Sequence, residues 1–230
     1  MEGDGGAAGD VGEWGGRPRP RATHGRAFEV GIPRHNDEVM KTVTQFRGQA
    51  EFLRESSGST NIEKTLLKAL KVLKIFNIPH YVCGGFAVQE RGYPRFILDV
   101  DLIVPDVQLA REKLAMNGFK ANPGSKMTVT DRETKVEIAV LPGGGKVGPG
   151  PVSFPMPKKV SEKPRILAIP DLIALELSSY MGSPIDRAQD YADAIKLIQV
   201  NRPSRELNVD ASIRGLYQTL WDQIHRQRLT

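Results

Sequence analysis

The 230-residue sequence has one cysteine, Cys83, and only four histidines, at 24, 35, 80 and 225. A lone cysteine excludes an internal disulfide framework and a multi-cysteine zinc site. Scattered histidines argue against a zinc enzyme. Long apolar runs are also missing: the best stretch, Ile166 to Leu177, carries Pro170, Asp171 and Glu176, well short of the roughly 18 apolar residues of a membrane span. The first thirty residues hold no apolar segment of secretory type. The expectation is a protein of the reducing cytoplasm with no membrane association. Aromatics are sparse at 7%, yet 40% of residues are hydrophobic and 26% charged, a globular balance able to bury a core. A net charge of +5, spread along the chain, permits an anionic partner such as a nucleotide or nucleic acid without demanding one.

Residues 1–37 read as a disordered Gly/Arg-rich tail. They hold nine glycines and three prolines but almost no periodic apolar residues, too little to repay ordering. Five arginines stand against six acids there, so Arg17-Pro-Arg-Pro-Arg21 is no nucleic-acid arm by charge alone. Residues 38–55 carry a helical stripe of Val39, Val43, Phe46, Ala50 and Leu53. Thr60-Asn-Ile-Glu63 has capping-box form, and Ile62, Leu66, Leu70, Leu73 and Phe76 line one face of the helix it opens.

A strand at 80–83 then meets Gly84-Gly85 and a helix running to about Arg91. Further strands are expected at 98–104, 127–130, 135–141 and 165–169. A helix capped by Asp106 runs to Asn117-Gly118, with Leu109, Leu114 and Met116 as its apolar positions. Residues 142–157, with five glycines and five prolines, read as a mobile excursion. Helices at 171–181, 184–199 and 210–227 close the chain. The pattern predicts an α+β fold: a small mixed sheet with flanking helices over 38–169, and C-terminal helices over 170–230 packed on it.

Asp99-Val-Asp101 places two carboxylates on one face of a strand, with Val100 and Leu102 on the other. Adjacent carboxylates repel unless a cation neutralises them, and an oxygen-only donor set suits magnesium or manganese. Acid–apolar–acid alternation is common on surface strands, so the motif needs company. Gly84-Gly85, between a strand and a helix, brings bare backbone N–H groups to a position suited to phosphate oxygens; the plainer reading is a tight turn. Glu137, alternating with Ile138 and Val140, supplies a third carboxylate for a two-metal site, with Glu133 in the preceding turn as its rival.

Together, Gly84-Gly85, Arg95-x-x-x-Asp99-Val-Asp101 and Glu137 resemble the nucleotidyltransferase superfamily with a polymerase-beta-like fold. Its minimal nucleotidyltransferases and abortive-infection AbiE-type toxin enzymes are the most similar branches. The resemblance spans about residues 60–200 and extends to the helices around Pro170–Leu177 and Arg187-x-x-Asp190-x-x-Asp193. It implies a transferase moving a nucleoside monophosphate from an NTP such as ATP to an acceptor hydroxyl. Asp99, Asp101 and Glu137 would hold Mg2+ or Mn2+, with Glu137 beside the hydroxyl it helps deprotonate. Gly84, Gly85 and Arg95 would bind the nucleotide. For Arg95, a salt bridge to Asp99 or a plain surface charge stands equally open. The acceptor could be RNA, a protein or a small molecule, and an antitoxin-like partner would follow from the toxin branch.

The sequence departs from the family twice: Glu176 stands where many relatives carry lysine, and Ile97 where they carry threonine. Those departures keep a second reading open, a degenerate member that binds nucleotide, RNA or a partner protein. Placed on the triphosphate side of the cleft, Glu176 would repel phosphate. Arg187, Asp190 and Asp193 are expected to form local ion pairs.

Overall fold

A computed structural model describes residues 60–226; the expected tail and the helix at 38–55 lie outside these residues. Helix α1 (Asn61–Ile75) begins as the capping motif predicts, with the Thr60 hydroxyl accepting from Glu63 N. Its stripe of Leu66, Leu70 and Leu73 is fully buried, each side chain contributing about 1.5–3 kcal/mol relative to exposure.

Next come β1 (Tyr81–Cys83), α2 (Gly84–Glu90), β2 (Asp99–Val104), α3 (Val107–Met116), β3 (Phe119–Ala121), β4 (Thr128–Asp131) and β5 (Glu137–Pro142). Then follow α4 (Ile169–Gly182), α5 (Ala188–Asn201) and α6 (Arg214–Arg226). None of the described helices is long and apolar enough to cross a membrane.

The five strands form one mixed sheet in the order β1-β2-β5-β4-β3. β2 and β5 run parallel; the other pairs are antiparallel. The sheet thus carries helices on both faces, as expected of an α+β fold. On one face Val82, Val100, Leu102, Val129, Ile138 and Val140 pack with α1 and α3. On the other, Cys83 and Ile103 pack with α2, α4, α5 and α6. Because side chains alternate, Asp99 and Asp101 share the second face with Ile103.

Four local expectations change. β3 is a three-residue strand that Phe-Lys-Ala is too short to announce. In α3 the buried residues are Ala110 and Leu114, whereas Leu109 and Met116 are exposed; the buried stripe lies one position round the helix. Residues 165–169 form no strand of their own and contribute one parallel bridge, from Ile166 to Val82 of β1.

The glycine-rich excursion is the fourth. It folds back on itself, with Gly144 N and Phe154 N donating to Phe154 O and Gly145 O, and Val147 N to Val152 O. The Ser178 hydroxyl of α4 then accepts from Val152 N at 3.0 Å. Glycine is required where this hairpin touches α4, since a Cβ on Gly150 would lie 2.1 Å from Ser178 O.

Candidate active site

Sheet register puts the three carboxylates on one face. Asp99 and Glu137 are direct partners across the parallel β2–β5 pair, and Asp101 lies opposite Ala139. Cross-strand neighbours project to the same side, so Asp99, Asp101 and Glu137 look onto one surface, with the small Ala139 leaving room beside Asp101. Asp99 and Glu137 are exposed; Asp101 is half-buried. The rival acid Glu133 lies in the turn between β4 and β5, outside both strands.

The glycine turn meets this surface directly. Cys83 pairs with Asp101 across β1 and β2, so Gly84 opens α2 immediately beside that carboxylate. Gly84 has φ +58°, and a Cβ there would lie 1.9 Å from Asp101 Oδ2. Both facts demand glycine at this position. A Cβ on Gly85 would lie 2.7 Å from Arg95 Nη2, so the second glycine makes room for the guanidinium.

Arg95 pairs with Asp193 and not with Asp99. Its Nε lies 2.9 Å from Asp193 Oδ2 on α5, and its Nη1 donates to Phe96 O at 3.1 Å. Asp193 is fully buried, and its other oxygen accepts from Gln189 Nε2 at 2.7 Å. The expected partnership of Asp193 with Arg187 is therefore replaced by a tie between α5 and the loop before β2. Three-residue spacing gave Asp193 a local partner on paper. The packing of α5 turns it inward instead.

Glu176 is also buried, at 7% exposure, with its helix packed over the Asp101 face. Its carboxyl is pushed well above the usual range by burial, then by Asp190, Asp193 and Asp101, with Arg95 opposing. Asp101 is pushed up to about 7 by burial and then by Asp99, against Arg95 and Arg187. For Asp193, burial outweighs Gln189 and Arg95 and raises the carboxyl. Cys83, buried beneath, has its thiol raised by burial, Asp101 and Glu176, so it is a packing residue.

Glu137 belongs to a network that sequence reading missed. Asn122 Nδ2 donates to Glu137 Oε2 at 2.7 Å and to Thr128 Oγ1 at 2.9 Å. Thr130 Oγ1 donates to Asn122 Oδ1 at 2.9 Å. The alternation Thr128-Val-Thr130 announces a polar face. Asn122 carries no comparable signal, because Asn-Pro-Gly reads simply as a turn.

Among the described residues, no group of three or more His, Cys, Asp or Glu is gathered closely enough to hold a metal ion. The three carboxylates share a surface without converging on a point. Their chemistry nevertheless fits a hard divalent cation. All donors are oxygens; Asp101 is raised by burial first and by repulsion from Asp99 second, and a cation relieves the repulsion.

No protein-family model matches the chain, and no curated protein matches it. Among solved structures it is similar to the solution structure of the antibiotic-resistance factor ANT(2'')-Ia, at 14% identity and a TM-score of 0.40, covering 72% of this chain and 96% of that one. It is also similar to a crystal structure of ANT(2'')-Ia in complex with adenylyl-2''-tobramycin, at 14% identity and a TM-score of 0.42, covering 73% of this chain and 98% of that one.

Proposed function

We propose that the chain is a metal-dependent nucleotidyltransferase of the polymerase-beta-like kind, moving a nucleoside monophosphate from an NTP to an acceptor hydroxyl. The observation that carries this reading is the fit of Gly84 against Asp101. A turn whose first residue can bear no side chain lies against one of two carboxylates that share a face with a third. A surface strand of alternating acids has no need of such a turn.

Asp99 and Asp101 would hold Mg2+ or Mn2+, with Glu137 as the third ligand. When bound, the ion supplies neutralising charge to the phosphoryl oxygens of an in-line displacement. The backbone N–H groups of Gly84 and Gly85 would bind the phosphates, and no side chain caps α2 in competition. Arg95 Nη2, against Gly85, is the nearest cation to that turn, held there by Asp193. Glu137 would take the proton of the acceptor hydroxyl on a carboxylate oxygen. RNA ends, a protein hydroxyl and a small molecule all suit an open polar sheet face as acceptor. An AbiE-type role with an antitoxin-like partner rests on the sequence resemblance alone.

One observation favours the second reading, a degenerate member that binds without transferring. Arg95, the cation expected to meet phosphate, is already engaged by the buried Asp193. Incubation with labelled ATP, CTP, GTP and UTP plus magnesium, against total RNA and lysate, separates the two. Label transferred by the wild type and lost in Asp99→Asn supports the enzyme. Nucleotide binding without transfer under every combination supports the degenerate member.

A further inference from the structure

We propose that Asn122 is a positioning residue that sets Glu137 for the metal. This rests on the nucleotidyltransferase reading of the site and adds a residue that neither the motifs nor the comparisons single out.

Asn122 follows β3 at the far side of the sheet from Asp99. Its backbone N–H donates to Thr128 O at 3.3 Å, which extends the β3–β4 pairing by one residue and aims the side chain across the polar face. There the amide is fully used. An amide nitrogen has two hydrogens; one goes to Thr128 Oγ1 at 2.9 Å and the other to Glu137 Oε2 at 2.7 Å. Its oxygen accepts from Thr130 Oγ1 at 2.9 Å.

The orientation of the amide is determined by chemistry. An ionised carboxylate only accepts, so Nδ2 must face Glu137, and the Thr130 hydroxyl donates to the opposite end. Thr130 is itself the cross-strand partner of Glu137. Two strands and a turn thus converge on one exposed glutamate.

A strap between β3 and β4 requires only the bonds to the two threonines. The bond to Glu137 is additional, and it acts on a side chain that would otherwise sample many rotamers. It engages Oε2 and leaves Oε1 without a hydrogen bond among the described residues. A ligating carboxylate is commonly held in this way, one oxygen fixed from behind while the other serves the ion.

The test is Mn2+ affinity of the full chain, measured by calorimetry or by loss of the free-ion electron paramagnetic resonance signal. The variants are Asn122→Ala, Asn122→Asp, Thr130→Val, Glu137→Gln and the double variant Asn122→Ala/Glu137→Gln. Loss of such an outer partner typically weakens metal binding by about 10–100-fold, so Asn122→Ala should weaken Mn2+ binding about tenfold or more. Asn122→Asp, which keeps the shape but repels Glu137, should do at least as much, and Thr130→Val should act in the same direction. These two variants keep the test open if the alanine fails to fold. In the Glu137→Gln background, Asn122→Ala should have no further effect. In the transfer reaction, kcat should fall while the KM for NTP stays.

Additive losses in the double variant, unchanged affinity in Asn122→Ala, or tighter binding in it would each overturn the proposal and leave a strand strap. Those results still leave Glu137 a ligand if Glu137→Gln alone weakens Mn2+ binding. A wild type that binds no Mn2+, or a Glu137→Gln that binds it unchanged, overturns the reading of the site itself, and the role of Asn122 falls with it.

Discussion

Asp101 should make the metal-free protein less stable as pH rises, and removing its charge should make that slope shallower. Its carboxyl is pushed up to about 7 from 3.8, by burial first and by Asp99 second. Between roughly pH 4 and 7 the folded state therefore keeps a proton that the unfolded chain has released. Where the folded state binds more protons, stability falls with rising pH. The penalty is absent below the unfolded pKa and complete above about 7. At about 1.4 kcal/mol per pKa unit, the gap between 3.8 and about 7 corresponds to roughly 4 kcal/mol, an upper figure for a half-buried group. Glu176 and Asp193 are raised as well and tilt the curve the same way. The informative quantity is thus the difference between wild type and Asp101→Asn. Urea unfolding in EDTA at pH 5 and pH 8 should show the variant's advantage over wild type growing by up to about 2.6 kcal/mol between the two, because part of the penalty is already present at pH 5. Asp99→Asn, which removes only the second cause, should gain less. Mn2+ at a hundred times its Kd should return about 2.7 kcal/mol to wild type at pH 8 and much less to Asp101→Asn. Parallel pH profiles for wild type and Asp101→Asn would refute the burial and crowding assigned to this carboxylate.

Three further substitutions test the frame around the site. Gly84→Ala combines a left-handed backbone, costing about 1–2 kcal/mol, with a Cβ 1.9 Å from Asp101 Oδ2; a urea midpoint equal to that of wild type would show that the turn is placed wrongly. Lys68→Met strands Asp131, whose side chain is 1% exposed and paired at 2.6 Å. The expected loss at pH 7 is about 3 kcal/mol, the low end for breaking a buried pair, because Lys68 itself is 31% exposed. Asp131 titrates in the opposite sense to Asp101: burial would raise it, but hydrogen bonds from Lys68 and the Glu133 backbone hold it low. Its contribution is therefore present at neutral pH and lost on acidification, so Lys68→Met should flatten the acid limb of the stability curve. Gly150→Ala should undock the hairpin from α4, detected as faster amide exchange at Val152 with little change at Glu137.

The fold was legible wherever a local rule acts alone. The Thr60 cap, the Leu66–Leu70–Leu73 stripe and the alternation of Val100 and Leu102 with Asp99 and Asp101 needed only periodicity. The pairing of Asp99 with Glu137 was legible as an inference from two strands, although their parallel register depends on the crossover between them. Asn122 was illegible because its role depends on register with Thr128, which a turn sequence does not encode. The excursion at 142–157 misled for a related reason. Glycine and proline there permit close contact with Ser178 and with the hairpin's own backbone, and composition cannot distinguish that from freedom.

Glu176 and Arg95 show how packing redistributes charges that a motif assigns singly. By resemblance, an acid at position 176 repels phosphate and Arg95 attracts it. In the folded chain Arg95 lies with Asp193, against Gly85, and opposes the charge of Asp101, Glu176 and Asp193 alike. Five acids, Asp99, Asp101, Glu176, Asp190 and Asp193, stand against two cations, Arg95 and Arg187, in this part of the molecule. Fully ionised, such a set carries excess negative charge, and burial answers by holding protons on Asp101, Glu176 and Asp193. A divalent ion beside Asp101 would displace its proton, so metal binding near pH 7 should release protons. The acid at 176, held protonated by its burial, thus carries little charge toward the metal or the phosphates, and Glu176→Gln should leave Mn2+ affinity close to that of wild type. Calorimetry in two buffers of different ionisation enthalpy measures the proton count. A Mn2+ affinity clearly altered in Glu176→Gln would show that the buried carboxyl is ionised, against the burial assigned to it.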